Sequence, residues 1–289
     1  MSAPASPFPT PVSSPTAPKI VIAGAGPAAQ ALVRQLARQR FSGSITVLSN
    51  RDDAPAGLLE LAILPQVSLR LGQPASFIDP SARCVTTADG LDFNYDQLVI
   101  ATGSAPVHSP VDGSGRCLSY STIDDAGRIG DAVKEVTRIL GRRPLGILVG
   151  TGAAAGQAEA VLRARGVRPI RTTLRPASVV PTIAGSALPA AGIIFEDGSS
   201  MQGDIVVLAE DRVARNGLAA SAGLATAADG GIVINQDFRT SVPGIWAIGD
   251  AASFDGVRLG LLVASDPAAD VCATRLLHAT VAESDPVAA

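Results

Sequence analysis

Short apolar runs, each followed at once by glycines and then by a stretch of helical spacing, set the pattern of this chain. Residues 19–23 (Lys-Ile-Val-Ile-Ala) form the first run, and Gly24-Ala25-Gly26 follows it. Over residues 28–39 the apolar positions Ala31, Leu32 and Leu36 recur at helical spacing, and residues 44–48 form a second apolar run. This reads as one β-α-β unit of about 30 residues. Residues 83–87 and 90–93 read as a hairpin. Residues 95–101 read as a buried strand that ends in a turn cluster at 102–106. The plan then repeats. Residues 124–140 have helical spacing with charges on one side, 144–149 are apolar, and Gly150-Thr151-Gly152 comes next. Residues 153–165 are helical and 167–172 form a strand. Further strands are predicted at 191–195, 204–209, 231–235 and 244–248. A final helix is predicted at 267–278 with Asp266 as its N-cap.

The repeat predicts an α/β fold with two Rossmann-like dinucleotide-binding domains, the second inserted in the first. The expected division is 19–112 plus 240–289 for the first domain and a shortened 116–239 for the second. Residues 1–18 are rich in Pro, Ala, Ser and Thr and read as a disordered tail. They lack the basic start and apolar run of a signal peptide.

Composition narrows the chemistry. Of 289 residues 47% are hydrophobic but only 3% aromatic, so the core must be built from Ala, Val, Leu and Ile. The net charge of -3 carries no strong bias, which argues against nucleic acid or an anionic membrane surface as partner. No apolar run approaches the length of a membrane-spanning helix. Cys84, Cys117 and Cys272 lie far apart, so neither a CxxC redox pair nor a metal-binding spacing exists, and a reducing, cytoplasmic location is expected. No metal is expected. His108 and His278 are distant from each other and from any nucleophile at triad-like spacing, so the sequence assigns no catalytic residue.

Gly24-x-Gly26-x-x-Ala29 sits between strand and helix. Gly24 permits the tight turn, Gly26 lets the backbone approach a pyrophosphate, and Ala29 allows close helix–strand packing. Pro27 and Ala28 open the helix, whose free N–H groups and positive end suit phosphate. A carboxylate for ribose is expected after the second strand, but Ser49-Asn50-Arg51 stands there. Asn50 is the candidate for ribose and Arg51 for phosphate or adenine; a solvated turn explains both equally well. Gly150-x-Gly152-x-x-Ala155 repeats the motif, and Arg175 after its second strand is a candidate for the 2′-phosphate of NADPH or a plain surface arginine.

Two longer segments carry a family resemblance. Tyr95-Asp-Gln-Leu-Val-Ile-Ala-Thr-Gly-Ser-Ala-Pro106 resembles the "ATG" segment of pyridine nucleotide-disulfide oxidoreductase-like flavoproteins. Thr240-Ser-Val-Pro-Gly-Ile-Trp-Ala-Ile-Gly-Asp250 resembles their second FAD signature. Ser119-Tyr-Ser-Thr-Ile-Asp-Asp125 and Gly256-Val-Arg-Leu-Gly-Leu-Leu-Val-Ala264 resemble the flavin module of the nitrite reductase large subunit, whose sirohaem and iron–sulfur portions have no counterpart here. The resemblance implies that Asp250 binds the ribityl chain of FAD. It adds Ala75, Ala101, Thr102, Gly103, Gly249 and Val263 to the FAD site. It also shows departures. Gln157 stands where the family has a glutamate near the flavin, and the usual helix and strand are largely missing between Arg175 and Ala191. The family's G-x-x-P-N turn is replaced by residues 210–216, and Asp266 falls where the helix dipole would meet the flavin.

The implied activity is an FAD-dependent oxidoreductase that takes hydride from NADH or NADPH and hands electrons to a separate partner protein or larger oxidoreductase complex. Two alternatives stay open: a degenerate FAD-binding subunit with little reductase activity, and a flavin oxidase or monooxygenase component.

Overall fold

A computed structural model describes residues 17–53, 56–107, 111–181, 191–209 and 212–284. Residues 1–16, which hold most of the expected tail, and His108 lie outside them.

Strand β1 (Lys19–Ala23), helix α1 (Pro27–Arg38) and β2 (Ser44–Leu48) form the first unit. Short helix α2 (Ala56–Leu59) leads into β3 (Val67–Arg70). Then β4 (Ala75–Asp79), β5 (Cys84–Thr87) and β6 (Asp92–Asn94) make an antiparallel meander before β7 (Gln97–Ile100). β8 (Ser104–Pro106) follows. The inserted portion opens with β9 (Leu118–Ser119), α3 (Asp125–Leu140), β10 (Gly146–Gly150), α4 (Gly152–Ala164) and β11 (Ile170–Thr172). An antiparallel sheet of β12 (Pro176–Pro181), β13 (Ala191–Phe195) and β14 (Ser200–Gly203) precedes β15 (Ile205–Ala209). β16 (Arg212–Ala214), α5 (Gly217–Ser221) and β17 (Ile232–Val233) lead back to β18 (Ile245–Ala247). β19 (Ala252–Phe254), β20 (Val257–Arg258) and α6 (Ser265–Ser284) complete the described chain.

Two parallel sheets dominate. One has the order β18-β7-β1-β2-β3, so a strand from the far end of the sequence closes the sheet that starts it. The other has the order β11-β10-β15-β9. This is a doubly built α/β architecture with the second sheet inserted into the chain of the first. The central strands are apolar because helices or loops cover both faces: Ile20, Ile22, Leu98, Ile100, Ile205 and Val207 are all fully buried. On the first sheet α1 packs along α6, and Leu32, Leu36, Cys272 and Leu276 are fully buried in the core they share. Trp246 is buried in β18, and its indole N–H donates to Gln97 Oε1 at 2.6 Å.

Several expectations need correction. The turn cluster at 102–106 contains β8, which pairs antiparallel with β16. That partner lies a hundred residues away, so no local pattern announces it. Of the stretch between Arg175 and Ala191, where the usual helix and strand are largely missing, Pro176–Pro181 forms β12, which pairs with β13. Asp266 is not an N-cap: α6 starts at Ser265, and the Ala268 amide already donates to the Ala264 carbonyl. Asp266 sits in the first turn and pairs with Arg34 at 2.8 Å. The cap comes from elsewhere: both carboxylate oxygens of Asp124 accept from the Ser265 amide, and the Ser265 hydroxyl donates to Oδ2 at 2.6 Å.

Candidate cofactor site

The site is built on the turn between β1 and α1. Gly24 has φ +124, and a Cβ there would stand 2.1 Å from the Ala101 carbonyl oxygen. Only glycine lets β1 leave the sheet so close to the end of β7. Gly26 is the N-cap of α1 and makes no side-chain cap bond; Pro27, with no N–H of its own, takes the first helical position. A Cβ on Gly26 would meet nothing within 4 Å. An uncapped helix start therefore faces open space, the arrangement that suits an anion. Gly249 (φ +64) packs onto this turn from β18, since its Cβ would lie 2.7 Å from that of Ala28.

The open space is a cavity of about 980 Å³. Gly24, Gly26, Pro27, Ala28, Asn50, Arg51, Ala75, Ala101, Thr102, Gly103, Gly249, Asp250 and Val263 all line it. Ala29 does not; it is buried under α1, where its small side chain serves packing. Arg51 leans on Asp53 through two bonds of 3.1 and 2.7 Å. Asn50 is exposed at the rim. The cavity also takes its wall from residues the sequence did not single out as contacts: Ser104, Ser121, Thr122, Asp125, Arg128, Arg212 and Arg215. Two of these arginines, Arg212 and Arg215, come from the stretch where the family turn is replaced. Their charge was legible, but their position depends on the β8–β16 pairing.

Two carboxylates, Asp125 buried and Asp250 nearly so, shape the electrostatics. Asp250 Oδ2 accepts from the Ser104 hydroxyl at 2.6 Å, and Oδ1 lies 3.3 Å from Arg258 Nε. Burial pushes the Asp250 pKa up, while the Ser104 bond and the charges of Arg258 and Arg212 pull against it. Asp125 behaves oppositely. Burial raises it, but bonds from the Ser121 and Thr122 amides at 2.7 and 3.0 Å, with Arg128, hold it below the usual carboxylate range. Asp125 thereby organises the 121–122 loop at the cavity wall.

The second glycine motif repeats the geometry in part. Gly150 has φ +145, and its Cβ would stand 2.1 Å from the Ala209 carbonyl oxygen, the counterpart of the Gly24–Ala101 approach. Gly152 differs from Gly26 in being the first helical residue of α4, with Thr151 as N-cap. None of Gly150, Gly152, Ala155 and Arg175 lines the large cavity. Ala153 and Ala154 instead border a smaller cleft of about 220 Å³, together with Arg212, Asp229, Arg258 and Leu261. Arg175 is exposed beyond the end of β11. Gln157 is engaged: the Tyr120 hydroxyl donates to its Oε1 at 3.1 Å, and its Nε2 donates to the Leu261 carbonyl at 2.7 Å.

Residues 60–174 and 152–284 match the family model described as pyridine nucleotide-disulphide oxidoreductase. The chain belongs to the pyridine nucleotide-disulphide oxidoreductase family. One relative is the 3-phenylpropionate/cinnamic acid dioxygenase ferredoxin–NAD(+) reductase component of Photorhabdus laumondii, 30% identical over 275 residues, covering 80% of this chain and 68% of the relative. Another is the nitrite reductase (NADH) large subunit of Escherichia coli, 27% identical over 73% of this chain but only 28% of that subunit. Among solved structures, the covalent putidaredoxin reductase–putidaredoxin complex matches with a TM-score of 0.58 at 22% identity, over 91% of this chain and 76% of that one. This family member has none of its cysteines on the large cavity: Cys272 is wholly buried in α6, and Cys84 and Cys117 lie half-buried elsewhere. Burial pushes the Cys117 thiol up to about 11.

Proposed function

We propose that this chain is an FAD-dependent oxidoreductase that takes hydride from NADH or NADPH and passes electrons to a separate acceptor protein of the ferredoxin kind. The observation that carries the reading is the convergence of residues from eight separate sequence segments, from Ala23 to Ala268, on one glycine-floored cavity of about 980 Å³. In this reading residues 19–112 with 240–289 hold FAD and 116–239 receive the nicotinamide nucleotide; the two parallel sheets support that division. The Gly24–Ala28 turn receives the pyrophosphate, Asn50 and Arg51 the adenosine half, and Asp250 with Gly249 the ribityl chain. Ala75, Ala101, Thr102, Gly103 and Val263 close around it. Arg128, Arg212 and Arg215 offset the anionic charge of the cofactor. Gly150, Gly152, Ala155 and Arg175 serve the nicotinamide nucleotide. When bound, FAD supplies the two-electron acceptance and stepwise release that link a nicotinamide to an iron–sulfur carrier. The absence of cysteine from the cavity wall supports a separate acceptor over an internal disulfide.

Purified protein is expected to show a flavin spectrum and to bleach with NADH or NADPH under anaerobic conditions. A colourless chain that cannot be reconstituted with FAD would defeat the reading. The engagement of Gln157 by Tyr120 and Leu261 favours one second reading, an FAD-holding subunit with little reductase activity. A yellow protein that neither nucleotide bleaches would select it.

A further inference from the structure

We infer that Arg258 is a positioning residue for the Asp250 carboxylate, holding it ionised and aimed so that it can accept a bond from the cofactor. The inference rests on the reading of Asp250 as an FAD contact.

Arg258 lies on β20 with its side chain 7% exposed. Its Nη1 donates to the Arg212 carbonyl at 3.2 Å and its Nη2 to the Ser121 carbonyl at 2.9 Å. Those two bonds tie β20 to β16 and to the loop before α3, and they fix the plane of the guanidinium. The remaining edge, Nε, is the one that meets Asp250 Oδ1 at 3.3 Å. From the other side the Ser104 hydroxyl holds Oδ2, and Arg212 Nε in turn donates to that hydroxyl oxygen at 2.7 Å. The carboxylate also leans on the backbone two residues beyond Arg258: a Cβ on Gly260 would stand 2.0 Å from Oδ1. Any side chain at residue 260 would push Asp250 out of this seat.

A carboxylate this buried tends to neutralise unless a cation stands beside it. Three charged groups face Asp250: Arg258 from β20, Arg212 from β16 and, with like charge, Asp125 from the start of α3. Asp125 is itself taken up by Arg128 and the 121–122 amides. Arg258 makes the ion pair with Asp250. Lysine has the charge but not the planar fork that reaches two carbonyls and a carboxylate together.

The test is FAD affinity, read by flavin fluorescence quenching at a series of pH values from mildly acid to mildly alkaline on the full chain freed of FAD. The proteins are wild type, R258M, R258K, D250N and D250N/R258M. Removing the cation raises the Asp250 pKa further, so the neutral acid accumulates as pH falls and the charge-assisted bond is lost. Wild type is expected to bind with little pH dependence. R258M is expected to bind roughly tenfold or more weakly at neutral pH, with the deficit widening towards acid, and R258K to fall between. The double variant is expected to be no weaker than D250N, because the two changes break one interaction. If R258M does not fold, R258Q, which also lacks the cation but keeps a hydrogen-bonding head, carries the same pH readout. Variants that are merely less stable, with the wild-type pH profile and losses that add to that of D250N, would overturn the inference and leave the proposed function standing. A wild type that binds no FAD would instead overturn the proposed function, and this inference with it.

Discussion

Single residues set the site through contacts that leave no freedom. At Gly24 an added methyl would collide with the Ala101 carbonyl at 2.1 Å in a backbone conformation with φ +124. Gly24→Ala is therefore expected to lower stability by about 1–3 kcal/mol and to displace the turn, with FAD retention lost. Thermal melts and the visible spectrum of the purified variant check both. Asp125 carries a pH signature. Its pKa is lowered on folding, so its contribution is present above the ordinary carboxylate value and is lost as pH falls through the lowered one. Asp125→Ala is expected to cost about 1–3 kcal/mol near neutrality by freeing the Ser121 and Thr122 amides. In urea titrations the gap from wild type should begin to narrow as pH falls below the ordinary carboxylate value of about 4 and close only below the lowered one. A gap that stays constant into acid would refute this account.

Between elements, apolar contact outweighs the visible ion pairs. Helices α1 and α6 pack together over one core in which Leu32, Leu36 and Leu276 are fully buried, and the exposed Arg34–Asp266 pair, with side chains 36% and 67% exposed, links them at the surface. Leu276→Ala is expected to cost about 2–5 kcal/mol. Asp266→Ala is expected to cost less than about 1 kcal/mol, because solvent screens the pair. Denaturant unfolding of both variants tests the ranking. The same elements show what local pattern can and cannot reveal. β1, β2 and the body of α1 follow directly from their apolar spacing. β8 and β12 are strands through their partners alone. Asp266 has the chemistry of a cap, yet Asp124, from the turn before α3, does the capping.

Across the whole molecule the two glycine turns are built alike but placed differently. Both place a glycine where an added Cβ would stand 2.1 Å from a carbonyl oxygen at the end of the neighbouring strand, yet only the first opens on the large cavity. Arg175, exposed beyond β11, is the test of the second. Arg175→Ala is expected to raise KM for NADPH by roughly tenfold while leaving NADH unchanged, since the loss is of a charge-assisted bond to one phosphate. Equal kinetics with both nucleotides would remove Arg175 from that role.

The sequence alone determined the repeated β-α-β plan, the two glycine turns and the "ATG" and Asp250 segments. Each is encoded within a dozen or so consecutive residues, where apolar period and glycine position act locally. The tertiary structure alone decided what surrounds them. Arg258 reaches Asp250 because two segments far apart in sequence fold against β20, and Arg212 and Arg215 line the cavity because β16 pairs with β8. Charge is readable in a sequence, but the partner that a buried charge requires is chosen by packing.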